Sequence, residues 1–375
     1  MKADQITRRQ MSALLFLTLL SPLIRVLPRH IAGAAGGMSW VSPVLALPFA
    51  LLGLWLLGRL LSRRREGECL AELLLRCLGP RAGRAVLFLC GGWMLFYAGF
   101  LLTSGAERLV STVYPSSYPW PFLILMLALS LPAALGSLQS LARSAVVFRP
   151  VLLGLLALVF LLLAPEAEPG LLRPSLRGLP GAAAGVPAVL NVLGVGISLS
   201  FLAGHVPREA GFFRRYLGLV LTAVGLAVLF CAVTVGIFGP KLTEKLTFPF
   251  FVLLRDLSVL RVAERLEALV LAIWMISDFM PIAALQLAAF HCLHLSLLGR
   301  PPAPRLPGRG VQLWRDGRFL VWLGAAAVLI VAFSIAPDSY TLQHWSDDLI
   351  PPLAAVYAFV LIPGSLAVGL LRKRL

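Results

Sequence analysis

Apolar runs of about 20 residues recur along the whole chain, separated by short segments rich in charged residues, Gly and Pro. A bilayer core about 30 Å thick needs roughly 20 residues of α-helix to cross it. The runs are continuous rather than alternating with polar residues, which favours helices over the strands of a barrel. The pattern therefore predicts an all-α polytopic membrane protein with ten transmembrane helices, at residues 11–31, 40–60, 83–106, 119–137, 147–165, 186–204, 215–238, 265–293, 318–336 and 350–371.

The connections between these runs are too short to hold a soluble domain. We therefore expect a single transmembrane domain over residues 1–375. Division after the fifth run gives a first repeat of five helices at residues 11–165 and a second at residues 186–371. If the two halves are inverted repeats, the first and sixth helices occupy corresponding positions.

Composition and charge support this class. The chain is 59% hydrophobic and 13% charged, with a mean hydropathy of +0.89, whereas soluble domains are about 25% charged. A net charge of +16 is also typical of nucleic-acid-binding proteins, but most of the 33 Lys and Arg residues lie in segments that the predicted helices leave on one side of the membrane. This positive-inside bias predicts cytoplasmic termini, contact with anionic membrane lipids and no nucleic-acid partner.

The five cysteines do not indicate a disulfide framework, because Cys69 and Cys77 lie in a predicted cytoplasmic loop and the others lie in helices. The sequence contains no CxxC, HExxH, Walker or GxSxG motif. We therefore expect no enzymatic activity, no cofactor and no metal site.

The first predicted helix contains polar and helix-breaking residues, in the stretch LTLLSPLIRVLPRHIAG at 17–33. Pro22 removes a backbone donor, and non-helical backbone at this depth is tolerated only inside protein or beside water. We therefore expect the helix to be discontinuous near Ser21–Val26. Two alternatives are that Pro22 only kinks the helix and that Arg25 extends to the outer headgroups of the membrane.

The sixth predicted helix, VPAVLNVLGVGISLSFLAGHVP, combines small and polar residues, among them Asn191, Gly194, Gly196 and Ser198. Small residues also allow close packing of membrane helices, which is the alternative explanation. Interrupted helices at corresponding positions of two halves indicate a substrate site between inverted repeats. The first and sixth helices together are therefore a stronger indication than either helix alone.

The eighth predicted helix carries Glu267, Trp274 and Asp278 within about 20° of one line on an ideal helix. A carboxylate at the depth of Asp278 costs about 2.5–3.5 kcal/mol on insertion scales, so it needs a partner, a water-filled cavity or a proton. A structural ion pair inside the bundle is the alternative to a functional role.

Several stretches resemble the spore germination receptor B-subunit family (the GerAB type). They are ITRRQMSALLFLTLLSPLIRVLP with GGMSWVSPVLALP, LLRPSLRGLPG, and FGPKLTEKLTFPFFVLLRDLSVL followed by ERLEALVLAIW. The resemblance covers nearly the whole chain and implies a member of the amino-acid/polyamine/organocation permease superfamily, with helices one and six unwound at the substrate site. It also implies a B subunit that senses a small amino-acid-like germinant in the spore inner membrane, beside an A subunit and a lipoprotein C subunit.

One feature departs from the family pattern. The family has a glycine-rich break of the GxGxLxLP type in helix one, whereas this chain has SPLIRVLP, with Ser21 and Pro22 in place of glycines and Arg25 inside. A guanidinium binds a carboxylate in bidentate fashion, so Arg25 is the predicted cation of the ligand site. Helices one and eight are neighbours in this superfamily, and we therefore expect Arg25 to pair with Asp278 until a ligand carboxylate competes for it.

The predicted ligand site therefore draws on helices one, six and eight. It comprises Ser21, Pro22, Arg25, Asn191, Gly194, Gly196, Ser198, Trp274 and Asp278. Three functions remain open: a germinant receptor subunit, an amino-acid permease of the same fold, and a scaffold that holds an A-subunit channel without binding a ligand. The intact polar site argues against the scaffold.

Overall fold

The structure is a computed structural model that describes residues 5–25, 27–65, 67–112, 114, 116–175, 178–207, 212–257, 264–299, 319–335 and 339–371. Within these ranges the chain is all-α and contains no β-strand. The α-helices are α1 Arg8–Arg25, α2 Leu27–Ala35, α3 Val41–Leu61, α4 Leu70–Leu78, α5 Pro80–Thr112, α6 Trp120–Leu135, α7 Leu138–Leu163, α8 Leu179–Ala184, α9 Val186–Gly194, α10 Phe212–Lys245, α11 Pro249–Leu257, α12 Glu264–Leu298, α13 Phe319–Ile335, α14 Ser339–His344, α15 Ile350–Ala355 and α16 Ile362–Leu371. Shorter 3₁₀ segments lie at Gly36–Met38, Ala164–Glu166, Pro169–Leu172 and Val195–His205, and π-helical turns at Trp345–Leu349 and Val356–Leu361.

Each predicted apolar run coincides with one or more of these helices. In the part of the chain that the structure describes, six helical segments are long and apolar enough to cross a membrane: Val41–Leu61, Pro80–Ser111, Leu138–Glu166, Leu179–His205, Phe212–Lys245 and Asp278–Leu298. Two bent pairs, Arg8–Arg25 with Leu27–Met38 and Phe319–Ile335 with Tyr340–Ala358, raise the number to as many as eight. The chain is therefore an all-α multi-pass membrane protein, whereas the count of ten and the repeats at 11–165 and 186–371 stay predictions.

Helix α5 runs through the middle of the bundle and packs against both α12 and α13. Glycines make this packing close. A Cβ atom at Gly91 would lie 2.8 Å from Cγ of Leu293, and one at Gly99 would lie 2.7 Å from Cγ1 of Val331. Lipid is as apolar as the surfaces of the helices, so the hydrophobic effect does not drive membrane helices together. They associate instead through the close packing that small residues allow.

The first helix is bent at the end of the predicted break, but residues 21–25, where the sequence predicts a discontinuity, are α-helical. Helix α1 contains Pro22 and ends at Arg25, helix α2 begins at Leu27, and the pair Arg8–Arg25 and Leu27–Met38 is bent by 49°. Val26, the remaining residue of the predicted break, lies outside the described residues. Pro28 is the second residue of α2, and its missing donor and the clash of its ring with the preceding turn account for a bend in this place.

The sixth predicted helix is interrupted in a different way. Helix α9 ends at Gly194, and the following 11 residues, Val195–His205, continue as a 3₁₀ helix. Runs of 3₁₀ structure longer than about four residues are uncommon, because their hydrogen-bond geometry is poorer than that of an α-helix. The segment therefore changes its helical pattern without a sharp bend, in contrast to the first helix.

The helices bring distant segments together at two ends of the bundle. At one end, the backbone NH of Ile6 donates to the carbonyl of His205 at 3.0 Å, and Nη2 of Arg64 donates to the carbonyl of Val206 at 2.9 Å. At the other end, Nε1 of Trp40 donates to the carbonyl of Leu172 at 3.2 Å. We call these the Ile6 end and the Trp40 end, and the predicted topology assigns the Ile6 end to the cytoplasm.

Candidate functional site

Asp278 is the carboxylate around which the buried polar groups gather. It lies in α12, is 1% exposed, and accepts a hydrogen bond at Oδ1 from Oγ of Ser21 at 2.6 Å. Its Oδ2 atom forms an ion pair with Nη2 of Arg108 in α5. A Cβ atom at Gly105 would lie 3.4 Å from this Oδ2 atom, so the glycine leaves space for the carboxylate beside α5. Three helices, α1, α5 and α12, therefore meet at Asp278.

Arg25 lies beside this carboxylate group without binding it. Its side chain is 1% exposed, Nη1 donates to the carbonyl of Leu101 at 3.5 Å, and its Cζ lies 5.5 Å from the ring centroid of Phe100. Its Nε and Nη2 atoms have no hydrogen-bond partner among the described residues. The predicted direct pair with Asp278 is therefore wrong, because Ser21 and Arg108 occupy the carboxylate. The alternative that Arg25 extends to the headgroups is also wrong, because its guanidinium is buried inside the bundle.

We call Ser21, Arg25, Arg108 and Asp278 the central cluster. It contains two guanidinium groups and one carboxylate, all buried. Aromatic faces supply part of the missing stabilisation, since Cζ of Arg108 lies 4.6 Å from the ring centroid of Phe251 and such contacts favour a cation. A buried charge is costly unless it is paired and hydrogen-bonded, so the second guanidinium makes this part of the protein favourable for an anion.

A small cavity of about 20 Å³ adjoins Arg25. Its lining includes several polar side chains and continues toward the Trp40 end of the bundle: Arg25, Arg29, His30, Phe100, Ser104, Thr247, Phe248, Leu342, Gln343 and Ser346. At its outer part, Asp347 forms ion pairs with Arg29 at 3.0 Å and with His30 at 2.6 Å. Asp347 belongs to the π-helical turn Trp345–Leu349, and π-turns are frequent at functional sites.

The predicted residues of the sixth helix lie elsewhere. Gly194 and Gly196 line a large, mainly apolar cavity of about 1000 Å³ near the Ile6 end, together with Leu15 and Leu19 of α1. Leu15 and Leu19 are one helical turn apart, and Ser21 lies about 160° around the helix from Leu19. Helix α1 therefore separates this cavity from the central cluster, and the predicted site is divided between two sides of one helix.

The remaining predicted residues occupy separate positions. Oγ of Ser198 lies 3.1 Å from the hydroxyl of Tyr357, and Oδ1 of Asn191 is buried without a hydrogen-bond partner among the described residues. Pro22 is buried within α1. Trp274 belongs to the helical backbone of α12, but its side chain lies outside the described part of the chain, as does that of Glu267.

The sequence prediction missed Arg108. The predicted third helix ends at residue 106, whereas α5 continues to Thr112 and thereby buries Arg108. The available signal was the polar sequence Thr103–Arg108, in which Gly105 and Arg108 are one turn apart and share a helix face. A buried arginine near the end of an apolar run is difficult to distinguish by sequence from one that marks the membrane surface.

Comparison with known proteins identifies the family and the fold. A profile of the family described as "Spore germination protein" matches residues 5–297. The structure is similar to the crystal structure of MhsT in complex with L-phenylalanine, with a TM-score of 0.57, 14% identity, and coverage of 96% of this chain and 100% of that chain. It is also similar to Mhp1, a nucleobase-cation-symport-1 family transporter, in a closed conformation with bromovinylhydantoin bound, with a TM-score of 0.59, 14% identity, and coverage of 96% and 78%. No curated protein sequence matches the chain. At this identity the two structures show the fold alone, which is the LeuT-like transporter fold.

Proposed function

The chain belongs to the Spore germination protein family, which confirms the resemblance seen in its sequence, and from that premise we propose that it is the germinant-sensing B subunit of a spore germination receptor. In this proposal it lies in the spore inner membrane with both termini in the cytoplasm. It acts with the A and C subunits of the receptor and catalyses no reaction. Its germinant is a small α-amino acid.

The observation that carries the proposal is the buried, incompletely paired guanidinium of Arg25. Two of its three nitrogen atoms lack hydrogen-bond partners among the described residues. A ligand carboxylate satisfies both in a bidentate arrangement. The amino group of the same ligand is a cation, which the neighbouring buried carboxylate of Asp278 attracts while its oxygen atoms stay bound to Ser21 and Arg108. An α-amino acid thus matches both charges of the central cluster, which a simple anion does not.

The route to Arg25 is, in this proposal, the small cavity toward the Trp40 end. Arg29, His30 and Gln343 supply polar groups along it, which suit a charged solute better than an apolar one. At about 20 Å³ the cavity has space for little more than one water molecule, so binding requires the helices to separate. The break between α1 and α2 is the natural hinge for this movement.

The other predicted residues have supporting roles in the proposal. Ser21 and Pro22 fix the carboxylate of Asp278 and the bend of α1. Gly194 and Gly196 form part of the wall on the opposite side of α1, and Asn191 and Ser198 lie in the same helical segment. Trp274 contributes an apolar wall. The protein MhsT, of similar fold, was crystallised with L-phenylalanine, which supports an amino acid as the class of ligand.

The second candidate function is an amino-acid permease that transports the same ligand. It is favoured by the similarity of the fold to the transporter Mhp1. Uptake of a labelled amino acid into vesicles that contain only this protein distinguishes the two functions. A receptor binds the amino acid without accumulation inside the vesicle, whereas a permease accumulates it.

The test of the site is germination of spores that lack this chain and carry a variant of it. Arg25→Met keeps the length and apolar stem of the side chain and removes the charge. We expect it to raise the amino-acid concentration for half-maximal germination by at least about 100-fold, since a charge-assisted bidentate contact is lost. Protein abundance in the membrane should be unchanged. A panel of L-amino acids and of the matching decarboxylated amines identifies the germinant and its need for a carboxylate.

Arg149→Met is the matched control. Cζ of Arg149 also packs against α1, 5.4 Å from the ring centroid of Phe16, but it lies away from the central cluster. We expect a normal germination response from this variant. A normal response from Arg25→Met, or an equal loss from both variants, contradicts the proposed site. An intact response to the decarboxylated amines contradicts the carboxylate contact.

A further inference from the structure

A second group of polar side chains lies at the Ile6 end of the bundle and shares only helix α12 with the central cluster. Cys69 precedes α4, Glu72 lies in the first turn of α4, and His291 lies in α12. Cys69 and His291 are 2% and 7% exposed. We call these three residues the end cluster. Each of the three carries an atom whose lone pair can bind a metal ion.

The geometry of the end cluster brings one potential ligand atom from each residue into the same small space. Sγ of Cys69 lies 3.0 Å from Nε2 of His291, and this Nε2 lies 3.1 Å from Oε1 of Glu72. Sγ of Cys69 also contacts Oε2 of Glu72. The three donor atoms all lie within 4.8 Å of one another. Ligand atoms around a tetrahedral zinc ion with bonds of about 2.0–2.3 Å lie about 3.4–3.6 Å apart, so small side-chain movements admit an ion.

The backbone holds two of the three residues in position. Glu72 accepts a hydrogen bond from the backbone NH of Cys69 at 2.9 Å, as part of a capping box at the start of α4. The other contacts of the same carboxylate are with its two neighbours in the cluster, since Oε1 lies 3.1 Å from Nε2 of His291 and Oε2 contacts Sγ of Cys69. Both oxygen atoms of Glu72 therefore lie in the end cluster.

We infer that Cys69, Glu72 and His291 form a binding site for a transition-metal ion of the zinc type. A thiolate, an imidazole and a carboxylate are three of the usual ligands of zinc, and a thiolate and an imidazole together discriminate against magnesium and calcium. The fourth position belongs to a water molecule or to His205, whose ring centroid lies 6.3 Å from that of His291. A thiol binds a metal ion as the thiolate, so binding of the ion at Cys69 releases a proton.

The bound ion would connect separate parts of the fold. Cys69 and Glu72 belong to the segment between α3 and α5, His291 belongs to α12, and His205 ends the 3₁₀ segment Val195–His205. A metal ion bound by all of them would hold these segments together at the Ile6 end of the bundle. This property is separate from binding of an amino acid at the central cluster, and it holds for either proposed function.

The test uses the full-length protein in detergent, freed of metal with a chelator and then titrated with Zn²⁺ or with Co²⁺ as a spectroscopic probe. We expect about one zinc ion per chain by elemental analysis, and a near-ultraviolet sulfur-to-cobalt absorption band. Cys69→Ser should abolish the band, and His291→Ala should weaken binding at least about tenfold. Cys77→Ser is the matched control, because Cys77 is a fully buried cysteine in α4, the helix that Cys69 precedes. The cobalt absorption band of this variant should be unchanged.

Glu72→Gln separates a metal site from a purely hydrogen-bonded triad. Glutamine retains the capping-box acceptor but is a poorer metal ligand, so the variant should fold normally and bind zinc at least about tenfold more weakly. His205→Ala decides whether the fourth ligand is His205 or water. A wild-type protein without zinc or a sulfur-to-cobalt band overturns the proposal. So does unchanged zinc affinity of Glu72→Gln, or a loss in Cys77→Ser equal to that in Cys69→Ser.

Discussion

The central cluster and the end cluster differ in the charge of the ligand that each favours. The central cluster gathers Arg25 and Arg108 around the single carboxylate of Asp278, so it is favourable for an additional anion. The end cluster gathers a thiol, an imidazole and a carboxylate within 4.8 Å, so it is favourable for a cation. Both lie against α12, one in its middle at Asp278 and one further along at His291.

This difference shows that burial of polar groups has no single meaning in a membrane protein. The four residues of the central cluster include two positive charges and one negative charge. Removal of the carboxylate of Asp278 should therefore lower the free energy of unfolding strongly. In the end cluster, the side chains of Cys69, Glu72 and His291 form hydrogen bonds with one another. Removal of one of them should therefore lower the free energy of unfolding less. Substitutions matched between the two clusters test this comparison directly.

The largest expected effect is that of Asp278→Ala. It removes an ion-pair partner of the buried Arg108 guanidinium, and loss of one partner of a buried ion pair typically costs about 3–5 kcal/mol. Glu72→Ala in the end cluster should cost only about 1 kcal/mol, the usual value of a helix cap. Thermal unfolding in detergent and abundance in the membrane measure both. Equal losses from the two variants would show that the clusters do not differ as described.

A smaller effect should distinguish the two arginines of the central cluster. Arg108→Met removes the ion-pair partner of Asp278 and should lower stability by roughly 3 kcal/mol. Arg25→Met removes the incompletely paired guanidinium, so stability should be unchanged or slightly increased. The measurement is the unfolding temperature of both variants without ligand. If Arg25 takes over Asp278 when Arg108 is absent, the loss in Arg108→Met disappears and the two arginines are equivalent.

The smallest effect on stability is expected from the exposed substitutions that test the orientation of the protein by labelling. Ser62 follows α3 near the Ile6 end, Ser116 follows α5, and both are exposed. Single cysteines at these positions in a cysteine-free protein should react oppositely with an impermeant thiol reagent, with Ser116→Cys labelled from outside. This outcome assigns the end cluster to the cytoplasm and the entrance to Arg25 to the outer side. Equal labelling of both positions from outside contradicts the predicted topology.

The helices were predictable because hydropathy over 20 residues depends little on tertiary structure. The predicted run at 40–60 corresponds to α3 at Val41–Leu61, and the first helix is bent by 49° between α1 and α2, at the end of the predicted break. Glycine and serine after Gly194 indicate that the helix is weakened there. They do not indicate that it changes to a 3₁₀ helix rather than bending or unwinding. The division of Gly196 and Arg25 between two sides of α1 depends on how α1 rotates in the bundle, which the sequence does not specify.

The partners of the site residues were less predictable than the residues themselves. Asp278 and Arg25 stand out as charges inside apolar runs, but the choice between Arg25 and Arg108 depends on side-chain geometry at the level of a few ångströms. The end cluster was missed entirely. Cys69 and His291 are 222 positions apart, and no local spacing of the kind found in metal-binding motifs links them. Only the packing of α4 against α12 and its neighbours brings them together.

The 3₁₀ segment Val195–His205 also has a consequence for length. Its 11 residues extend about 22 Å at a rise of about 2.0 Å per residue, whereas an α-helix of the same residues extends about 16 Å. A change of hydrogen-bond pattern would shorten the segment by about one α-helical turn. Because His205 and Val206 accept hydrogen bonds from Ile6 and Arg64, the beginning of the chain and the loop after α3 would be drawn inward with it. The distance that these two segments would move is set by the difference in rise per residue between a 3₁₀ helix and an α-helix.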